Sequence, residues 1–94
     1  MYYVYLLHSK KDQGLYIGYT TDIEARLKRH NNGEVVSTKN RLPLEIIYYE
    51  AYINERDARG REEFLKSGAG RRFLKKQLVN TSKALTIIDT SFSP

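Results

Sequence analysis

The sequence predicts an α+β domain in which three helices flank a small three-stranded antiparallel sheet, in the order β-β-α-β-α-α. Three observations carry this expectation. Aromatic and β-branched runs at 2–7, 15–19 and 44–52 read as strands. The first two are separated by a polar segment ending in glycine, which makes them a hairpin. Helical spacing of apolar residues appears between the second and third runs and again after the third. With 94 residues there is room for one domain, and 40% hydrophobic with 29% charged residues fits a globular chain better than a disordered one.

The elements follow in order. Residues 2–7 form the first strand and 9–14 the hairpin loop. In the return strand, alternation places Leu15, Ile17 and Tyr19 on one face, with Tyr16 and Gly18 on the other. Thr21-Asp22-Ile23-Glu24 reads as a capping box, threonine at the N-cap and glutamate reaching back. The helix it opens runs to His30 and is stopped by Asn31-Asn32-Gly33. Ile23 and Leu27 mark its buried side, and Arg26 and His30 border that stripe one turn apart. A polar connection over 34–42 leads to the third strand. Asn54 caps a second helix that runs to about Lys66, where Ser67-Gly68-Ala69-Gly70 interrupts it. A third helix spans 71–79, with Phe73, Leu74 and Leu78 as its apolar side. The expected domain is 1–80. Residues 81–94 show no clear pattern and read as a tail, in which 85–88 either adds a short strand or frays.

The second helix carries an odd residue. Ala58, Glu62 and Leu65 share its buried register, so a carboxylate sits where an apolar side chain belongs. A buried carboxylate needs a cation or a cleft, and either an arginine ion pair or a metal or acid–base role would supply one. Gly60 in the same helix costs about 1 kcal/mol relative to alanine, which close approach of another backbone would explain.

Composition and charge exclude several classes. Without cysteine there are neither disulfides nor thiolate zinc sites. No apolar run is long enough for a membrane helix, and the N-terminus lacks the features of a signal peptide, so the expected compartment is the cytoplasm. The net charge of +5 is concentrated: 26–41 carries five basic groups and one acid, and 56–76 carries eight and three. Two basic segments suggest a polyanionic partner, nucleic acid first. All eight tyrosines fall in the predicted strands, mostly explained by β-propensity and packing.

Tyr3-Val4-Tyr5, then Tyr16-Ile17-Gly18-Tyr19-Thr20, then Asp22, Arg26 and His30 at four-residue spacing before Asn31, and later Arg61-Glu62, form an ordered set. This set resembles the GIY-YIG nuclease superfamily over residues 2 to about 78. Leu42-Pro43-Leu44, the 48–51 segment and the 70–76 segment make it similar to the small stand-alone bacterial YhbQ-like group. The resemblance implies a GIY-YIG fold and a metal-dependent endonuclease acting on DNA before RNA, in repair or in processing branched or single-stranded DNA. It implies catalytic roles for Tyr5, Tyr16, Arg26, His30 and Glu62, with Glu62 the metal-binding carboxylate. Tyr3 stands where the first signature has glycine. One carboxylate with waters and substrate phosphate suits Mg²⁺, with Mn²⁺ as a substitute. Arg26 offers a planar, permanently charged fork for phosphate. Free tyrosine has a pKa near 10, leaving about 0.1% ionised at pH 7, so a tyrosine base needs help, and which tyrosine serves stays open. Gly18 leaves space for the Arg26 helix or the substrate backbone, or marks a bulge. Lys28, Arg29, Lys39, Arg41, Arg71, Arg72, Lys75 and Lys76 are the expected nucleic-acid contacts, on a monomer or weak dimer. The rival expectations are a binding module that no longer cuts and a protein-interaction adaptor.

Overall fold

In the computed structural model, which describes residues 1–85 and 87, the first strand lies in the middle of the sheet. β1 (Tyr2–Ser9) pairs antiparallel with β2 (Leu15–Thr20) on one side and with β3 (Leu44–Tyr52) on the other, giving the order β2-β1-β3. Helices α1 (Ile23–Asn31), α2 (Glu55–Lys66), α3 (Gly68–Gln77) and α4 (Val79–Leu85) complete the described chain. The predicted α+β class and antiparallel sheet are therefore present, with one helix more than expected.

The edges of β1 are paired with β2 and β3 and its two faces are covered by helices on either side of the sheet, so Val4 through Ser9 are buried without alternation. Val4 and Leu6 point into a core with Ile17, Ala58, Leu65, Leu74 and Leu78, beneath α2 and α3. Tyr5 and Leu7 point the other way, towards Leu44 and the partly buried Tyr16, Leu27 and Ile46, beneath α1. The sheet thus separates a single-helix layer from a layer built on α2 and α3. Against β3 the register slips between Leu6 and Leu7, whose partners are Tyr48 and Ile46. The extra residue, Ile47, joins Tyr48 in the α2–α3 core while Ile46 serves the α1 side, so this bulge reconciles an apolar triplet with a two-faced strand.

Several local expectations are corrected. Asp22, rather than Thr21, is the N-cap of α1, and its Oδ1 accepts from the Ala25 amide at 3.1 Å. Aspartate caps at least as well as threonine and adds a negative charge at the positive end of the helix. The stop is as predicted: Gly33 adopts φ +75°, and Gly33 and Glu34 amides donate back to the carbonyls of His30 and Arg29. Asn54 caps α2 as expected, accepting from the Arg56 amide at 2.8 Å.

The break after α2 is one residue long. Ser67 ends α2 and caps α3, accepting from the Gly70 amide at 3.2 Å, so the glycines lie inside the first turn of α3. A Cβ at Gly70 would overlap the Phe64 carbonyl and the Leu65 backbone, so the close backbone approach expected at Gly60 is found here. Open space surrounds Gly60, and nothing in the structure explains it. The helix α4 carries regular structure past residue 80. Of the predicted 85–88 strand, Leu85 ends α4 and Ile87 packs against the core; residues 86 and 88–94 lie outside the described residues.

Candidate catalytic site

The hairpin register builds the first half of the site. Tyr5 stands opposite Gly18, and Leu7 opposite Tyr16, so both tyrosines project from the face that α1 covers. A Cβ at position 18 would overlap the Tyr5 hydroxyl and ring. The glycine therefore makes room for the Tyr5 side chain itself, which lies across β2. This replaces the expected space for the Arg26 helix or for substrate, and the regular pairing through Gly18 excludes a bulge there. Gly18→Ala is expected to displace the Tyr5 ring and cost about 1–3 kcal/mol, the usual range for overpacking. Chemical denaturation checks this; an unchanged midpoint would show that the ring has another place to go.

α1 supplies the second half. Arg26 and His30, one turn apart, both turn towards Tyr5. Arg26 Nε donates to the Tyr5 hydroxyl at 3.4 Å, and that hydroxyl lies 2.9 Å from His30 Nε2. The Tyr16 ring closes the cluster, with its centroid 5.3 Å from the His30 ring and 6.5 Å from the Tyr5 ring. His30 is fully buried rather than bordering the stripe, and its Nδ1 lies 2.8 Å from Thr38 Oγ1. Thr38, on the connection between α1 and β3, was not singled out in the sequence; a lone threonine in a polar loop has no periodicity to announce it.

Burial sets the protonation states. It raises the Tyr5 pKa, against the pull of the Arg26 hydrogen bond and charge, so the phenol stays protonated at neutral pH. Burial, with the charges of Arg26 and Arg29, lowers His30 to about 4, so the imidazole is neutral. The unfolded chain, with histidine near 6.5, then binds more protons than the folded one between about pH 6.5 and 4. Stability is expected to fall as pH drops through that window and to level off below it. Denaturation at pH 7, 5.5 and 4 checks this, and a His30→Gln variant should lose part of the slope.

Glu62 comes from the opposite layer. Its side chain is 17% exposed, and its partner is Lys66 one turn on, at 3.1 Å. Its charge adds to the upward push on the Tyr5 pKa, which places it within electrostatic reach of the cluster. The expected arginine pairing goes elsewhere. Arg61 holds the half-buried Glu50 through two bonds, at 2.9 and 3.1 Å, and lies over the Phe73 and Phe64 rings. Tyr48 and Tyr52 also donate to Glu50. Burial pushes the Glu50 pKa up, but Arg61 and the two phenols outweigh it and hold the carboxylate ionised. Glu50 is thus a satisfied structural carboxylate, whereas among the described residues Glu62 has a flexible lysine as its ion-pair partner. Among the described residues there is no group of three or more acidic, histidine or cysteine side chains suited to a metal. A cation at Glu62 would therefore take one protein carboxylate and fill its shell with water and phosphate oxygens, which fits magnesium.

The predicted cations divide. Lys28, Arg29 and Lys39 are exposed in the α1 layer. Arg41 is tied into the hairpin loop by Asp12, at 2.7 and 3.3 Å, and this pairing holds the Asp12 carboxyl down at about 2. Arg71 belongs to the other layer and, with Lys66 and Tyr16, lines a cleft of about 230 Å³ floored by Leu6, Leu15, Ile17 and Leu74. Arg72, Lys75 and Lys76 surround Phe73 on α3.

Two sheet tyrosines meeting an arginine and an imidazole on the next helix, with a lone carboxylate nearby, place the chain among nuclease domains of the GIY-YIG kind. The family model described as the GIY-YIG catalytic domain matches residues 1–76, and the chain belongs to that family. Within it, the chain is similar to UPF0213 proteins, the YhbQ-like group. It is 43% identical to one from Clostridium perfringens over 67 residues, covering 70% of this chain and 71% of that protein. It is 36% identical to one from Pediococcus acidilactici over 95 residues, covering 98% and 91%. A solution NMR structure of a UPF0213 protein from Bacillus halodurans is 35% identical, with a TM-score of 0.48 over 86% of this chain and 85% of that one. No helix among the described residues is long and apolar enough to cross a membrane.

Proposed function

We propose that this protein is a magnesium-dependent endonuclease that hydrolyses phosphodiester bonds in DNA. The observation that carries the reading is the hydrogen-bonded contact of Arg26 and His30 on one buried phenol, Tyr5, with the Glu62 charge in reach. Arg26 touches Tyr5 through Nε and also meets the Tyr16 side chain, and the remaining hydrogens of its guanidinium would bind phosphoryl oxygens. Tyr5 and neutral His30 take the proton of the attacking water, and Tyr16 orients the phosphate or the water. Glu62 would hold the cation, which supplies positive charge to the phosphoryl oxygens. Cationic groups of the α1 and α3 layers would meet the sugar–phosphate backbone on either side of the β2 edge, where Tyr16 sits. Branched and single-stranded DNA are the proposed substrates, and repair or processing is the proposed role.

The test is single-turnover cutting of branched, single-stranded and duplex DNA with Mg²⁺ and after chelation. Cutting that stops on chelation and returns with Mg²⁺ or Mn²⁺ supports the reading; binding without cutting in every metal overturns it. Arg26→Lys keeps the charge and loses the fork, so its rate should fall by ~10² or more. Near-normal cutting by the lysine variant would reduce Arg26 to a steering charge.

A further inference from the structure

The hydrogen bonds around Tyr5 have only one fully satisfied direction. Arg26 Nε has a hydrogen to give and nothing to accept with, so the Tyr5 oxygen accepts there. The phenol hydrogen is then left for His30 Nε2, 2.9 Å away. A neutral imidazole that accepts at Nε2 carries its hydrogen on Nδ1, and that hydrogen needs an acceptor. Thr38 Oγ1 is the atom in place, at 2.8 Å, and its own hydrogen points to the Val35 carbonyl at 3.5 Å. In the opposite direction, Arg26 and His30 would both donate to the Tyr5 oxygen, and the phenol hydrogen would have no acceptor in the cluster. His30 and Thr38 are both 0% exposed, so no bulk water offers an alternative partner for Nδ1.

We propose that Thr38 is a positioning residue whose buried hydroxyl accepts from His30 Nδ1, fixing the tautomer that turns Nε2 towards Tyr5 as a proton acceptor. The catalytic consequence rests on the nuclease reading; the tautomer itself does not. As the water oxygen bonds to phosphorus, its proton passes to the Tyr5 oxygen and the phenol proton passes to Nε2. The bond to the leaving oxygen breaks, and that oxygen takes a proton from solvent water. The imidazolium then returns its proton through Tyr5 to the hydroxide so formed. A buried tyrosine with a raised pKa can thus act as a base without first becoming a free phenolate. The charges facing the His30 ring, Arg26 and Arg29, oppose a lasting imidazolium and favour that return.

Two-bond proton–nitrogen correlation spectra of the ¹⁵N-labelled protein read the tautomer directly. The wild type is expected to show His30 protonated at Nδ1. Thr38→Val should shift the ring towards the Nε2-protonated form, and Thr38→Ser should restore the wild-type pattern. Thr38→Ala removes the same oxygen and decides the matter where valine fails to fold. A wild-type ring protonated at Nε2, or an unchanged tautomer once the hydroxyl is gone, overturns the proposal. Single-turnover cutting by Thr38→Val should fall by roughly 10–100-fold, the range seen when a metal-bound histidine loses the partner that orients it, with DNA binding unchanged and serine restoring the rate. If no form of the protein cuts DNA, the nuclease reading fails while the spectra still decide the role of Thr38.

Discussion

Glu62→Gln is expected to abolish cleavage, by at least ~10³, while leaving the fold and DNA binding in place. Glutamine keeps the shape of the side chain and removes the negative charge on which a cation depends. The partner lost in the free protein is Lys66, a half-exposed lysine one turn away on the same helix. Pairs of that kind contribute about 0–1 kcal/mol, so the denaturation midpoint should barely move. The contrast with Glu50 sharpens the prediction. Glu50 is held by Arg61 and two phenols, and Glu50→Gln should destabilise the protein clearly, by about 1–3 kcal/mol, because a partly buried arginine is left facing a neutral group. Cleavage by single turnover, binding by anisotropy and stability by denaturation separate the two carboxylates. An unfolded Glu62→Gln protein would make Glu62 structural; a variant that cuts at the wild-type rate would end its metal role.

Tyr5→Phe is the other large effect expected. Cleavage should drop by about 10²–10⁴, the usual share of general-base catalysis. The stability cost follows from the buried partner. Removing the hydroxyl strands His30 Nε2 where the ring is 0% exposed, which costs about 1–3 kcal/mol, while the ring packing survives. Tyr16→Phe should be milder in both respects, since its side chain meets the partly exposed Arg26 rather than a fully buried partner. Comparing the two variants at saturating Mg²⁺ decides which tyrosine serves. Normal cutting by Tyr5→Phe beside a dead Tyr16→Phe would reverse their roles.

Much of this was legible in the sequence because it depends on local rules. Strand runs, the Asn54 cap, the Gly33 stop and the four-residue spacing of Arg26 and His30 are set by neighbours along the chain. What was illegible depends on neighbours across it. Gly18 is explained by Tyr5, thirteen residues earlier but directly opposite in the ladder. Gly68 and Gly70 look like a helix break by propensity, yet the Ser67 cap and the tight approach of α2 put them inside α3. The seven-residue α4 was missed because it buries no residue of its own and shows no amphipathic repeat. Arg41 reads as a free surface cation until Asp12 is seen beside it. Thr38 gains its meaning only when the loop folds back over His30.

The two-layer construction bears on how activity is lost. Arg26 and His30 ride on the helix that covers one face of the sheet, Glu62 on a helix that covers the other, and the tyrosines on the strands between. No single segment contains the site, so fraying of either layer dismantles it even while the rest of the chain stays folded. On the nuclease reading proposed above, catalysis would require the whole cooperative unit, and partly unfolded molecules, which carry the same basic segments, would keep an attraction for DNA without the means to cut it. On that reading the hazard of a nuclease would be tied to the integrity of its fold: a damaged or half-made chain would bind weakly and not cut.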